Sequence, residues 1–378
     1  MNPYDFVPLD TEHPPEQRRP VWHNVLTPEN TNTSYYSGYL HLYIRAETPL
    51  FIHDTSSSMQ DPDYPGQHMR NRWGEYIIPG TSLKGLLRAT VETLCRGCMT
   101  VFRVPQEYTN NPLPVAFAPC QQNTHLCVSC RLFGMMQARQ SNAEVFLGKL
   151  NIEDARAYDD NPEMLEPIYT AVLDSPKPRH RAFYLDAAGR YIAGRKFYFH
   201  NQQLLTEPRL IPIPNRDMYR NQYIQPLASG TDFDARIDFT NLEADEFAAL
   251  LFAIQLQADM RHKIGYGKPI GLGSVQLAIT ALQLVDYSKR YSDKNRGIEH
   301  YEGDALATLL NQQMVPLDGG QVQTAWQRFS ALPSLQSLHR IWRWPPDASV
   351  EYAYPSQRWF RANPQARIPA TRNLYRGD

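Results

Sequence analysis

The alternation of apolar and polar positions divides the chain into a few regular elements separated by long irregular stretches. In GYLHLYIRAETPLFI (38–52), Leu40, Leu42 and Ile44 recur with period two, which predicts a half-buried strand. IIPGTSLKGLLRATVETLCRG (77–97) reads as a short strand, a turn and a helix. Its apolar stripe is Leu83, Leu86, Leu87, Val91 and Leu94, and Thr81 or Ser82 can cap it. NLEADEFAALLFAIQL (241–256) predicts a second helix with Asn241 as N-cap and acids in the first turn. Its buried side is Leu242, Phe247, Leu250, Leu251 and Ile254. SVQLAITALQLVDY (274–287) alternates through Val275, Leu277 and Ile279 as a strand.

Between these elements lie a loop (53–75), a segment carrying cysteines and histidine (98–150), and an irregular stretch (151–240) with hairpins expected around 181–200. An extended arm rich in Pro, Asn and Thr precedes them (1–37). A C-terminal appendage (288–378) follows, with short helices near 304–314 and 320–331 and an Arg/Trp/Pro-rich tail. The order strand, helix, insertion, helix, strand is that of an α+β chain with a ferredoxin-like βαββαβ core carrying large insertions. On this reading the core spans 38–287.

Composition narrows the function classes. The 378 residues allow two or three domains or one elaborated domain, and a hydrophobic content of 42% supplies a sizeable core. The longest apolar run, Phe247 to Ile254, is far short of a membrane span. The N-terminus has neither the basic start nor the apolar centre of a signal peptide, so a cytoplasmic protein without membrane partners is expected. The net charge of -1 hides an imbalance, because 30 of the 38 basic residues are arginine. Arginine binds phosphate with a planar fork and stacks on bases. Residues 328–378 hold eight arginines against three acids, so near-neutrality does not exclude nucleic acid.

Five cysteines, Cys95, Cys98, Cys120, Cys127 and Cys130, fall within 36 residues. An odd number in a chain with no export signal points to metal rather than disulfides. Cys120-x4-His125-x-Cys127-x2-Cys130 offers four ligands over eleven positions, which suits a structural, tetrahedral Zn²⁺. Cys95 and Cys98 form a second C-x2-C at the end of an apolar helix; buried thiols are the preferred reading, with a rival pair of ligands as the alternative.

Two further segments carry candidate chemistry. Lys84 and Arg88 share a helical face, and the helix N-terminus at Thr81–Ser82 exposes N–H groups, a combination suited to phosphate. HKIGYGKPIGLGSV (262–275) brings Gly265, Gly267, Gly271 and Gly273 together with Lys263 and Lys268. Glycines allow close backbone approach to a ligand. A strand follows this loop rather than a helix, so it is neither a dinucleotide fingerprint nor a P-loop.

IIPGTSLKGLLR, CVSCRLFG (127–134) and HKIGYGKPIGLGSV, in this order, resemble the RAMP superfamily of CRISPR-associated proteins. More narrowly, they resemble the backbone subunits of type III interference complexes. YDFVPL (4–9), SPKPRHRAFYL (175–185), GRKFYFH (194–200) and the helix at 241–256 extend the resemblance over residues 4–286. It implies a modified, RRM-like core with a zinc-binding insertion (about 98–150) and a thumb-like hairpin insertion (about 155–235). It implies a CRISPR RNA held in a basic groove, a complementary target RNA, and neighbouring subunits of the effector complex as partners. The RNA-binding candidates are then Lys84, Arg88, Arg131, Lys177, His180, Arg195, Lys196, Lys263, Lys268 and the four glycines, with Arg179 beside them. Phe183, Tyr184, Phe197 and Tyr198 are candidates for stacking on bases.

Some such subunits cut target RNA with an Asp in the loop after the first strand, in a D-x-P context, and a divalent ion such as Mg²⁺. Asp63-Tyr64-Pro65 has that context and stands sixteen residues before Pro79; Asp54 and Asp61 are the alternatives. Gly66 to Met69 depart from the apolar character usual there. A rival reading is a standalone, metal-independent endoribonuclease that processes precursor guide RNA with His180, His200 or His262. A third is a structural subunit that does not cut.

Overall fold

The computed structural model describes residues 1–23, 25, 35–100, 102, 110–137, 143–173, 180–290 and 297–371. Strand Tyr36–Ala46 lies at the centre of the main sheet. It pairs antiparallel with Asp232–Leu242 on one side, from Asp232↔Arg45 to Leu242↔Tyr36, and with Ser274–Val285 on the other. Two short strands, Leu150–Ile152 and Ala155–Ala157, pair with the far side of Asp232–Leu242. Taken by chain order, the sheet runs fourth, first, third, second, which is the ferredoxin-like arrangement of a βαββαβ core.

One face of this sheet is apolar because its strands alternate. Leu40, Leu42 and Ile44 are fully buried beside Phe233, Ile237 and Val275. Helices Gly80–Leu94 and Ala244–Gln255 cover that face with Leu83, Leu87, Val91 and Leu94, and with Phe247, Leu250, Leu251 and Ile254. The caps differ from those predicted. Pro79 precedes the first helix, whose Gly80 N–H donates to Asp154 Oδ1 at 2.8 Å. Glu243 caps the second helix in a capping box with Glu246. Asn241 instead adopts a positive φ of 52° and donates from its amide to the carbonyls of Trp22, His23 and Val25.

Several expected boundaries are corrected. Within residues 181–200 the antiparallel pairing is confined to one short turn, where Asp186 N donates to Tyr191 O and Ala193 N to Tyr184 O. These residues comprise a helical turn (Arg181–Tyr184), a single bridge between Leu185 and Ile192, and a strand (Arg195–Tyr198). That strand pairs with Tyr4–Val7, in register Tyr4↔Tyr198, so the N-terminus is a strand rather than a loose arm. Aromatic residues decide this, since Tyr4 and Phe183 are buried in one cluster with Tyr198, Tyr354, Trp359 and Phe360. The C-terminal segment is likewise no appendage. Helices Gly303–Asn311, Gln321–Ser330 and Pro333–Trp342 bury Leu306, Leu309, Trp326, Phe329, Leu338 and Trp342 in the main core. Trp326 stacks edge-on against Phe252 of the second core helix at 5.2 Å. Among the described residues no helix is long and apolar enough to cross a membrane.

Candidate nucleic-acid interface and metal centre

Cys98, Cys120, Cys127 and Cys130 are buried, and their sulfurs all lie within 4.8 Å of one another. Cys98 Sγ is 3.5 Å from Cys130 Sγ and 3.9 Å from Cys120 Sγ. Four thiolates at ~2.3 Å from one tetrahedral Zn²⁺ must stand about 3.8 Å apart, so the donor set fits that ion. Thiolate charge is also met by donors: Cys98 N–H points at Cys127 Sγ (3.5 Å), Cys127 N–H at Cys120 Sγ (3.4 Å), and Arg88 Nη2 at Cys130 Sγ (3.7 Å). All four positions of a tetrahedral ion would be filled by protein, leaving none open for a substrate.

His125 is not part of this centre. It closes a tight turn with Gln122, and its exposed ring meets Thr124 Oγ1 at 3.1 Å. The contiguous spacing favoured it over Cys98, which comes from 22 residues before Cys120 and reaches the cluster by tertiary packing. Cys95 is buried in the main core, so the C-x2-C pair is divided between two environments.

A cleft of about 470 Å³ opens where the first core helix meets the glycine loop. Ser82, Gly85 and Ala89 form one wall, and Ile264, Gly265 and Tyr266 another. Lys196, Phe197 and Tyr198 close it from the N-terminal sheet, with His53 and the buried Trp342 also in its lining. Lys263 and Lys268 complete a lining that includes three lysines and no carboxylate. Burial lowers all three: Lys196 to about 8, Lys263 to about 7, and Lys268 in the same direction. Lys263 Nζ donates to Leu272 O (3.0 Å) and Ser274 Oγ (3.2 Å), and Lys268 Nζ to Gly265 O (2.5 Å). Lys196 differs. Its ammonium lies 3.8 Å from the Tyr4 ring centroid and 4.8 Å from that of Tyr198, and no described residue accepts a hydrogen bond from it. The indole N–H of Trp342, at the same cleft, is also buried without a partner among the described residues. A half-buried cation and a buried donor left open at one cavity make a site for an anion.

A sequence model of the RAMP superfamily matches residues 43–276, more than half of the chain, from within the first core strand to the start of the last. The chain belongs to the RAMP superfamily. No curated protein matches it.

The other residues that the RAMP resemblance singled out fall into distinct environments. Arg131 is buried and clamps the second core helix: Nε donates to Glu246 Oε1 (2.7 Å) and Nη2 to Asp245 Oδ2 (2.5 Å). Arg195 is held inside the fold by Glu92, Gly97 O and Cys98 O. Neither guanidinium lines the lysine cleft, and each neutralises a buried carboxylate. Arg88 turns from the cleft towards Glu92 (3.1 Å) and Cys130. Lys84 is half-buried and stands outside the lining; burial first, then Arg88, lowers its pKa. Lys177 and Arg179 lie outside the described residues. His180 is packed between Phe183 and Phe360, with Nε2 donating to Ala366 O (2.7 Å).

The loop glycines serve the fold more than the cleft. A side chain at Gly273 would meet Ile264 O at 1.9 Å, and one at Gly271 would meet Gln203 O at 2.6 Å, both at positive φ. Gly267 caps a short helical turn, and Gly265 alone of the four lines the cleft. His200 and His262, the rival acid–base candidates, donate from Nε2 to Arg261 O (3.0 Å) and Ala253 O (2.8 Å). Desolvation holds His200 well below the usual range and His262 at about 4. Both are neutral core residues at physiological pH.

In the 53–75 loop, Asp61 and Asp54 have structural duties. Asp61 Oδ1 accepts from Asp63 N (2.9 Å) and Tyr64 N (3.2 Å). Asp54 Oδ1 accepts from Ser56 N (2.9 Å), which lowers its pKa. The Asp63 carboxylate is exposed and accepts no hydrogen bond from a described residue. Among the described residues, only the four cysteines group three or more metal-ligating side chains, so an Mg²⁺ at Asp63 would draw its remaining oxygens from water or RNA. Sequence reasoning missed Trp342, His53 and Tyr266 in the cleft. Tyr266 was within reach, standing in the quoted glycine loop; Trp342 carried no local signal.

Proposed function

We propose that this chain is a CRISPR-RNA-binding backbone subunit of a type III RNA-guided effector complex, with CRISPR RNA, complementary target RNA and neighbouring subunits as its partners. The single observation that carries the reading is Lys196, a half-buried ammonium facing a cleft that holds three lysines and no acid. The RNA backbone is the anion that such a cleft suits, with Tyr198 and Tyr266 beside it as flat partners for bases. RAMP membership supports the choice of a guide RNA over another polyanion. The same reading assigns target cleavage to Asp63, the loop acid left available to a hydrated divalent ion. The processing-enzyme alternative is less well supported, because its histidines are occupied inside the fold.

The test is single-strand RNA binding across a salt series. Changing Lys196 and Lys268 together to Ala is expected to weaken binding by about tenfold and to flatten the salt dependence, at ~0.7 counterions per phosphate contact. An unchanged affinity and slope would remove the cleft from the RNA path.

A further inference from the structure

The strand Arg195–Tyr198 places two cations side by side with opposite surroundings. Lys196 faces the cleft, whereas Arg195 runs inward to the cysteine centre. Arg195 Nη2 donates to Gly97 O (2.7 Å) and to Cys98 O (3.0 Å), the carbonyl of a thiolate ligand. Its Nη1 donates to Glu92 Oε2 at 2.8 Å. The other oxygen of Glu92 accepts from Arg88 Nε (3.1 Å) and Thr100 Oγ1 (2.6 Å), and Arg88 Nη2 reaches Cys130 Sγ. One buried carboxylate on the first core helix therefore joins two arginines, each touching a different cysteine of the centre. Gly85 and Ala89, on that same helix, form the cleft wall.

We infer that Arg195 is a positioning residue through which metal at the four cysteines sets the RNA affinity of the cleft. The consequence for RNA rests on the function proposed above; the coupling itself does not. A metal ion pins Cys98 and with it the two carbonyls that hold the planar guanidinium fork. The fork fixes the strand, and the strand holds Lys196 over Tyr4 at the cleft. Without the ion, the four thiols lose their common centre and residues 97–100 are released. The buried guanidinium must then find new acceptors, and the strand shifts with it.

The experiment uses the full chain, metal-loaded and chelator-stripped, with two readouts: affinity for a single-stranded RNA oligomer, and amide deuterium exchange of residues 196–198. In the wild type, stripping is expected to weaken RNA binding about tenfold and to speed exchange in that strand. The paired change Arg195→Met with Glu92→Gln removes both charges together, so that neither is stranded in the interior. Loaded with metal, this variant should already bind RNA about tenfold more weakly, and stripping should change neither readout further. A paired variant that responds to stripping as the wild type does overturns the inference, as does wild-type exchange at 196–198 that ignores the metal. If the wild type binds no RNA in either form, the functional reading falls while the exchange data still decide the coupling.

Discussion

The ammonium of Lys196 lies 3.8 Å from the centroid of the Tyr4 ring, so the fourth residue of the chain provides the aromatic face for a cation at the central cleft. The contact exists because Tyr4–Val7 pairs with Arg195–Tyr198, which sets the N-terminal strand beside the cleft-lining residues Lys196 to Tyr198.

This burial has a pH signature. Lys263 is lowered to about 7 and Lys196 to about 8, both from a normal value of 10.5. Between the folded and the normal values the unfolded chain binds more protons than the folded one, so stability should rise as pH increases from about 7 to 10.5. RNA binding should move the opposite way, because the anion needs the charged lysine. Urea unfolding and RNA titrations at pH 7 and 9 would show the two trends; Lys196→Met should reduce the pH dependence of both.

Replacing Cys98 and replacing His125 should have unequal effects. Cys98→Ser removes a ligand from a closed four-cysteine site and is expected to cost about 4 kcal/mol or more, with loss of bound zinc. His125→Ala should keep one zinc per chain and wild-type stability. Elemental analysis with thermal unfolding distinguishes them, and zinc loss in His125→Ala alone would reinstate the ligand set expected from spacing.

Asp63→Asn should abolish one cut in target RNA while leaving guide and target binding intact, and a chelator of Mg²⁺ should act likewise. Asp61→Ala should instead loosen the turn that its carboxylate holds, a stability effect of about 1 kcal/mol. Mapping cleavage products on a guide-matched target checks both. Cleavage by Asp63→Asn at the wild-type rate would rule this acid out.

Arg131→Ala is expected to destabilise the fold by about 3 kcal/mol, since it leaves Glu246 with Lys149 and Asp245 with Arg18 as their remaining cations. The metal-loaded variant, where folded, should bind RNA as the wild type does. Denaturant titration and RNA binding, measured on the same preparation, test the pair of outcomes.

The core elements were legible along the chain because they obey local periods. Leu40, Leu42 and Ile44 repeat every second residue, and Leu83, Leu87, Val91 and Leu94 follow the helical period, so strand and helix could be read without any contact known. A compact metal centre was legible too, since Cys120, Cys127 and Cys130 stand close in sequence. What remained hidden depends on contacts between distant segments. Cys98 replaces His125 because packing of the first core helix delivers it to the cluster, and sequence distance says nothing of that path. Arg88, Arg131 and Arg195 looked like phosphate ligands, since a lone arginine carries the same charge wherever it stands. Only the folded chain decides whether a carboxylate waits beside it, as Glu92 and Glu246 do here. Lys196 is the converse case: its place at the cleft is settled by pairing with the first residues of the chain and by the Trp342 helix at the other end, a long-range closure that no local pattern encodes.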